Sequence, residues 1–177
     1  MPYFQNSIRP YDVKRKTLQT CVYIIVAIML ACHPVLANGE RSRSSSGRLP
    51  FTLGVRDSLM IGHSFHGNPD FGPAGGMHGA TYTCDVEFCC DSLHPRNNWV
   101  IDIGKASDIL SQVLSKYNMK NLDEVFPDGE MTTTEFMARV IQRGIAERVR
   151  DECGFHGLIR VKLWESHKAW ALFEEEV

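Results

Sequence analysis

The sequence lacks an excess of charge of either sign, and this absence removes a bulk electrostatic basis for nucleic-acid binding. Its 177 residues carry 19 Lys and Arg against 21 Asp and Glu, a formal net charge of −2 at pH 7. Proteins that hold nucleic acid without sequence preference neutralise its phosphates with a basic field. We therefore expect no nucleic-acid partner, because binding would require a local basic patch.

The sequence also lacks the short motifs of several common sites. None of its six cysteines forms a Cys-x-x-Cys pair, which argues against a zinc ribbon and a thioredoxin-type redox motif. It contains no glycine-rich phosphate-binding motif. Hydrophobic residues make up 44% of the chain and charged residues 23%, an ordinary globular composition that excludes disorder over the whole chain.

The first 50 residues differ in composition from the rest. Residues 1–37 begin with a basic stretch and continue into an apolar run, 18–37, without Asp, Glu, Lys or Arg. This pattern is typical of a signal peptide; a membrane anchor and translation from a start upstream of the natural one are the alternatives. Residues 38–50 form a Ser/Arg/Gly linker, so we expect the folded domain to occupy 51–177.

Within the domain, hydrophobic periodicity changes from that of strands to that of helices and back. It predicts two helices, the first from Ala106 and the second from a Thr132–Glu135 capping box to about Gly154. The predicted strands are 51–65, 81–88, 99–103, 158–165 and 169–173. Strands grouped on either side of two helices indicate an α+β domain with an antiparallel sheet and helices on one face.

The strand near the C-terminus places two polar side chains on its apolar side. Glu165 and His167 continue the alternation of Ile159, Val161 and Leu163 if the strand stays regular. Because burying an unpartnered charge is unfavourable, this pattern favours a cleft lined by both. The alternative is that the strand has already ended and both side chains are solvated.

Two further histidines, His63 and His78, lie where glycine-containing segments meet strands. Such positions allow a side chain to project beside a cavity. Zinc takes three or four ligands, so two histidines do not by themselves specify a metal site. An ordinary structural or surface role remains the alternative for both.

Several segments together resemble the family of 6-pyruvoyl-tetrahydropterin and 6-carboxytetrahydropterin synthases, over about residues 53–174. They are LMIGHSFHG, GMHGATYTCDVEF, WVIDIG, NLDE, TTTEFMARVI and VKLWESHKAWALFE, in the family's order. The resemblance implies the tunnelling fold, a four-stranded antiparallel sheet with two helices on one face. It also implies trimers or hexamers built by joining sheets edge to edge, with pterin sites between subunits.

The resemblance implies a zinc site of three histidines, of which the chain retains two. His63 and His78 match the family's positions, whereas Ala80 stands where the third histidine belongs. We hypothesise that His167 restores the third ligand and leaves one position open, as expected of a catalytic zinc. His66 is a competing ligand in a glycine-rich loop.

The family's proton-handling residues are missing. Its cysteine is matched here by Ala74, and its Asp-His pair by Asn118 and Met119. None of these replacements performs general acid–base catalysis near neutral pH. The resemblance therefore assigns no catalytic residue in this chain.

The substrate-holding residues implied by the resemblance are retained. They are Thr133 and Thr134 at the start of the second helix and Glu165 on the penultimate strand. In the family, the strand glutamate holds a ring N–H and the amino group of the pterin, a contact that suits the two oxygens of a carboxylate. Glu135 is expected to cap the helix.

The expected function is a zinc-dependent lyase that converts 7,8-dihydroneopterin triphosphate to 6-carboxytetrahydropterin, on the queuosine route, with an altered activity. 6-Pyruvoyl-tetrahydropterin synthesis and pterin binding without catalysis are the alternatives. The family's pathway implies a cytoplasmic location. Residues 18–37 favour export or membrane anchoring instead.

Overall fold

The structure, a computed structural model, describes residues 49–177. Segment 1–37 and most of linker 38–50, with the predictions made for them, lie outside the described residues. The strands and helices are β1 (Phe51–His63), β2 (His78–Cys90), α1 (Ile103–Ser115), β3 (Lys120–Asn121), α2 (Leu122–Val125), α3 (Thr134–Cys153), β4 (Leu158–Trp164) and β5 (Trp170–Glu176). None of the helices in this part of the chain has the length and apolar character needed to cross a membrane.

The strands form one sheet in the order β3-β1-β2-β4-β5. The four long strands pair with one another antiparallel, which confirms the α+β fold with a four-stranded antiparallel sheet. The sheet also contains a fifth strand that the sequence did not predict: two-residue β3, which pairs in parallel with Ile61 and Gly62 of β1.

Alternation along the strands divides the sheet into two faces. One face is apolar and packs against the apolar stripes of α1 and α3, so both long helices cover the same side, as predicted. Each fully buried aliphatic or aromatic side chain there contributes about 1.5–3 kcal/mol. Buried strand residues on this face include Leu59, Ile61, Tyr82, Val86, Phe88, Ile159, Val161 and Leu163.

The opposite face carries polar and aromatic side chains at its β4–β5 end. Lys162 Nζ lies 4.1 Å from the ring centroid of Trp164 and 4.0 Å from that of Trp170. The indole nitrogen of Trp164 donates a 2.8 Å hydrogen bond to Asp85, which also pairs with Arg56. These contacts hold β4, β5 and the turn between them against β2.

Two helix starts differ from the sequence-based predictions. The predicted strand at 99–103 is wrong, because Asp102 is the N-cap of α1 and accepts a 3.0 Å hydrogen bond from the Lys105 N–H. The capping box at Thr132 is wrong by one residue, since Thr133 is the N-cap of α3 and its hydroxyl accepts from the Phe136 N–H. The predicted helix end is confirmed, with Gly154 as C-cap at φ 61°.

Candidate functional site

The candidate site lies at one end of the sheet. His63 ends β1, His78 begins β2, and the two are paired in the strand register. Because β4 runs antiparallel to β2, it also ends on this side, and turn 165–169 leaves from there. The topology therefore brings together segments that are distant in sequence.

His63 is fixed in one orientation and one tautomer. The side chain is 1% exposed, and its Nδ1 lies 3.1 Å from the Thr132 carbonyl oxygen. The Thr132 hydroxyl oxygen also lies 3.1 Å from Nδ1 and can accept, and the carbonyl oxygen only accepts, so a hydrogen on Nδ1 satisfies both contacts and leaves the lone pair on Nε2. Burial, and then neighbouring His78, lower the pKa of His63. The result is a neutral imidazole whose buried Nε2 has no hydrogen-bond partner.

His78 presents a second imidazole beside the first. Its Nδ1 lies 2.9 Å from the Gly76 carbonyl oxygen, so by the same argument Nε2 carries the lone pair. The centroids of the His63 and His78 rings are 4.5 Å apart. Backbone partners on Nδ1 are the usual orienting contacts of metal-binding histidines. The two imidazoles therefore suit two positions of a metal site.

The side chains near the two imidazoles do not provide a complete set of zinc ligands within residues 49–177. No group of three or more His, Cys, Asp or Glu side chains placed to hold a metal ion occurs within residues 49–177. Ala80 follows His78 on the same strand face and offers no donor. His167 lies exposed in turn 165–169. The set His63, His78 and His167 therefore stays a prediction, and we derive no chemical step through zinc.

Glu165 lies beyond the end of its strand. β4 stops at Trp164, and the N–H groups of Glu165 and Ser166 both donate to the Ala169 carbonyl oxygen, at 3.0 and 3.3 Å. The prediction that Glu165 and His167 continue the strand alternation is therefore wrong, because the chain turns back, and both side chains are exposed.

Glu165 is nevertheless connected to the start of α3. The Thr134 hydroxyl donates a 2.6 Å hydrogen bond to Glu165 Oε2. This bond holds the exposed carboxylate against a rigid helix. Thr133, the other predicted substrate-binding threonine, uses its hydroxyl to cap the same helix.

The site contains two polar residues that sequence reasoning missed. Asp123 accepts hydrogen bonds from the backbone N–H of Ser64, at 2.9 Å, and from its hydroxyl. Buried Tyr82 lies near Thr134 and Glu165, and burial, followed by the charge of Glu165, raises the pKa of Tyr82 to about 12. Tyr82 shares the buried strand face with Val86 and Phe88, so the sequence pattern predicts a core residue. No local pattern distinguishes Asp123 from a surface acid.

The raised pKa of Tyr82 predicts a loss of stability in alkali. The unfolded tyrosine ionises near pH 10 and the folded one near 12, so this contribution is complete below pH 10 and is lost as the pH rises towards 12. For a shift of this size it amounts to about 2–3 kcal/mol. Urea unfolding between pH 10 and 12 should show that the free energy of unfolding falls less steeply with pH for Tyr82→Phe than for the unmodified chain. Equal slopes of unfolding free energy against pH would contradict the raised pKa of Tyr82.

The residues at the family's proton-handling positions serve as structural contacts here. The Asn118 side-chain oxygen accepts a 2.9 Å hydrogen bond from the Met60 N–H. The Met119 N–H donates a 2.7 Å bond to the Met60 carbonyl oxygen. Both contacts attach the chain before β3 to the edge of β1. Ala74 lies in a short 3-10 segment of the β1–β2 loop.

A four-stranded antiparallel sheet, covered on one face by two helices and carrying two imidazoles at one end, defines a protein of the tunnelling fold. The family model described as 6-pyruvoyl tetrahydropterin synthase matches residues 52–176. The chain therefore belongs to the 6-pyruvoyl tetrahydropterin synthase family, and this membership supports a tetrahydropterin synthase-type, lyase activity.

Solved structures show the same fold at low sequence identity. The chain is similar to Caenorhabditis elegans 6-pyruvoyl tetrahydropterin synthase, with 22% identity, a TM-score of 0.58, and coverage of 73% of this chain and 98% of that one. For Plasmodium falciparum 6-pyruvoyl tetrahydropterin synthase the identity is 13% and the TM-score 0.55, with coverage of 72% of this chain and 98% of that one. For the Wolinella succinogenes protein WS1659 the identity is 12% and the TM-score 0.53, with coverage of 70% of this chain and 97% of that one. No curated protein sequence matches significantly.

Proposed function

We propose that the chain binds a reduced pterin at this end of the sheet and acts as a lyase on 7,8-dihydroneopterin triphosphate, giving 6-carboxytetrahydropterin. The observation that carries the proposal is the Glu165 carboxylate, oriented by Thr134 at 2.6 Å. A carboxylate has about four lone-pair sites, so the bond to Thr134 uses one of them and leaves the others free to accept. It can then accept from a ring N–H and an adjacent amino group together.

The proposal includes zinc, self-association and location. His63 and His78 supply two ligands, and His167, on the turn that leaves the same end of the sheet, supplies the third. Edge strand β5 needs a partner strand, which favours a trimer or hexamer measurable by light scattering. The pterin substrate and its pathway favour the cytoplasm, with export or anchoring through residues 18–37 as the alternative.

Pterin binding without turnover is the second candidate. The observation that favours it is the structural use of Asn118 and Met119, which attach to the Met60 backbone. Neither side chain accepts or donates a proton in the way that the family's Asp-His pair does. 6-Pyruvoyl-tetrahydropterin synthesis is distinguished from the first proposal by the product formed.

The discriminating experiment incubates the zinc-supplemented full chain with 7,8-dihydroneopterin triphosphate, separates the products, and measures pterin affinity in parallel. We expect Glu165→Gln to weaken pterin binding about 10–100-fold, because a hydrogen bond to a charged group contributes about 1.5–3 kcal/mol. Glu147→Gln, an exposed carboxylate on α3, is the matched control and should bind as the unmodified chain does.

The outcomes separate the candidates. A carboxypterin product supports the lyase, and a pyruvoyl product supports the alternative enzyme. Pterin binding that requires Glu165, without any product, supports the binding protein. Unchanged affinity in Glu165→Gln contradicts all three, since each depends on that carboxylate.

A further inference from the structure

Two exposed methionines line one groove on the sheet face opposite the helices, and the sulfur of a third lies near the groove's glycine floor. The side chains of Met60, Met77 and Met119 are 49%, 61% and 71% exposed. Methionine is among the residues most often buried. Three exposed thioethers at one place therefore require an explanation other than core packing.

The floor of the groove lacks side chains. Gly62 of β1 and Gly79 of β2 are paired in the strand register. The groove has a volume of about 480 Å³, and its lining includes Met60, Gly62, Gly79, Met119 and Lys120. A Cβ atom added at Gly62 would lie 3.7 Å from Met77 Sδ, so this sulfur already lies over the floor.

The backbone brings the other two thioethers within reach of the first. Met60 and Gly62 are two residues apart on one strand face, a spacing of about 6.6 Å. The Met119 N–H donates to the Met60 carbonyl oxygen at 2.7 Å, and Met119 has a positive φ of 59°. Methionine has three rotatable side-chain bonds, so sulfurs anchored this closely can meet above the glycine floor.

We propose that Met60, Met77 and Met119 form a thioether site for a soft monovalent cation, Cu(I). Thioether sulfur is a ligand that selects Cu(I), whereas Mg²⁺ and Ca²⁺ require oxygen ligands. The groove lining contains no Cys, His, Asp or Glu side chain. Lys120 at its rim is exposed, so solvent screens its charge.

This site is distinct from the imidazole pair. Gly62 and His63 are consecutive on β1, so their substituents point to opposite faces of the sheet. The buried face holds His63, and the exposed face holds the groove. The proposal uses neither the imidazole pair nor Glu165, so it and the proposed pterin function can fail separately.

The test uses the full chain with ¹³C-methyl-labelled methionine, its accessible thiols alkylated beforehand, and Ag(I) as a redox-inert probe. We expect the methyl resonances of Met60, Met77 and Met119 to shift together and saturate at the same Ag(I) concentration. Single substitutions to Leu, which conserve volume, should each weaken Ag(I) binding at least about tenfold. Met131→Leu, outside the groove, is the control and should leave the affinity unchanged.

Two results would overturn the site. The three resonances would shift at different Ag(I) concentrations if the thioethers bind independently. Affinity that survives each Leu substitution would assign the bound ion to other ligands. The Leu variants replace exposed side chains, and circular dichroism confirms that each remains folded before titration.

Discussion

Replacing Ala80 with histidine is expected to convert the chain into a tight zinc-binding protein, with one ion per chain after gel filtration in metal-free buffer. Ala80 lies on the same strand face as His78 and pairs with Ile61, next to His63. A histidine there adds a third imidazole to two that are already oriented. Even an outer-shell partner of a metal is worth about 10–100-fold in affinity, so a third ligand should exceed that.

Thr81→His is the matched control, because residue 81 points to the opposite face of the same strand. It should leave zinc affinity, measured by competition with a chromophoric chelator, unchanged. His167→Ala tests the proposed natural third ligand. If the unmodified chain already binds one zinc ion tightly and loses it in His167→Ala, the site with His167 is supported. If Ala80→His binds no better than Thr81→His, the paired imidazoles are not metal ligands.

Substituting Gly157 with alanine should destabilise the domain by about 3 kcal/mol or more, a value reserved for severe steric or cavity effects. Gly157 precedes β4, and a Cβ there would overlap the Cys89 carbonyl oxygen on β2. The Gly157 backbone also exchanges hydrogen bonds with Val177, of 3.2 and 2.8 Å. Relief of the overlap therefore requires a shift of the strand start that would break these bonds.

Gly154→Ala measures the cost of backbone strain without a clash, whereas Gly157, at φ 157°, combines both. Gly154 has φ 61°, but a Cβ there meets nothing within 4 Å. Alanine in that left-handed conformation costs about 1–2 kcal/mol. Urea unfolding should therefore place the midpoint of Gly157→Ala well below that of Gly154→Ala. Equal midpoints would show that the strand moves aside at little cost.

Sequence reasoning predicted the fold well where periodicity is long. The alternation of β2 and β4 and the stripe of α1 are repeated over enough residues to identify a helix-backed antiparallel sheet. The segment before α1 was mistaken for a strand, because Trp99, Val100 and Ile101 are apolar while the capping role of Asp102 is a local contact. Two-residue β3 lies beside β1 next to the contacts that the Asn118 side chain and the Met119 backbone make with Met60, and hydrophobic periodicity cannot detect so short a strand.

The site was less predictable than the fold. The alternation of side chains along β4 predicted that Glu165 lies on the buried face. In the structure the strand ends before Glu165, because the N–H groups of Glu165 and Ser166 donate to the Ala169 carbonyl oxygen. The bond from Thr134 to Glu165 joins residues 31 positions apart, so no local pattern reports it. The environment of His63 likewise depends on Thr132, which sequence reasoning had assigned to a helix cap.

The two tilted indoles around Lys162 give the protein a natural optical reporter. Two of its three tryptophans, Trp164 and Trp170, flank the turn that carries Glu165, with ring centroids 6.1 Å apart. Indoles this close couple their electronic transitions, and the resulting circular dichroism couplet depends on their mutual angle. A molecule that engages the turn and changes this angle is therefore expected to change a far-ultraviolet signal that needs no label, in an unmodified sample.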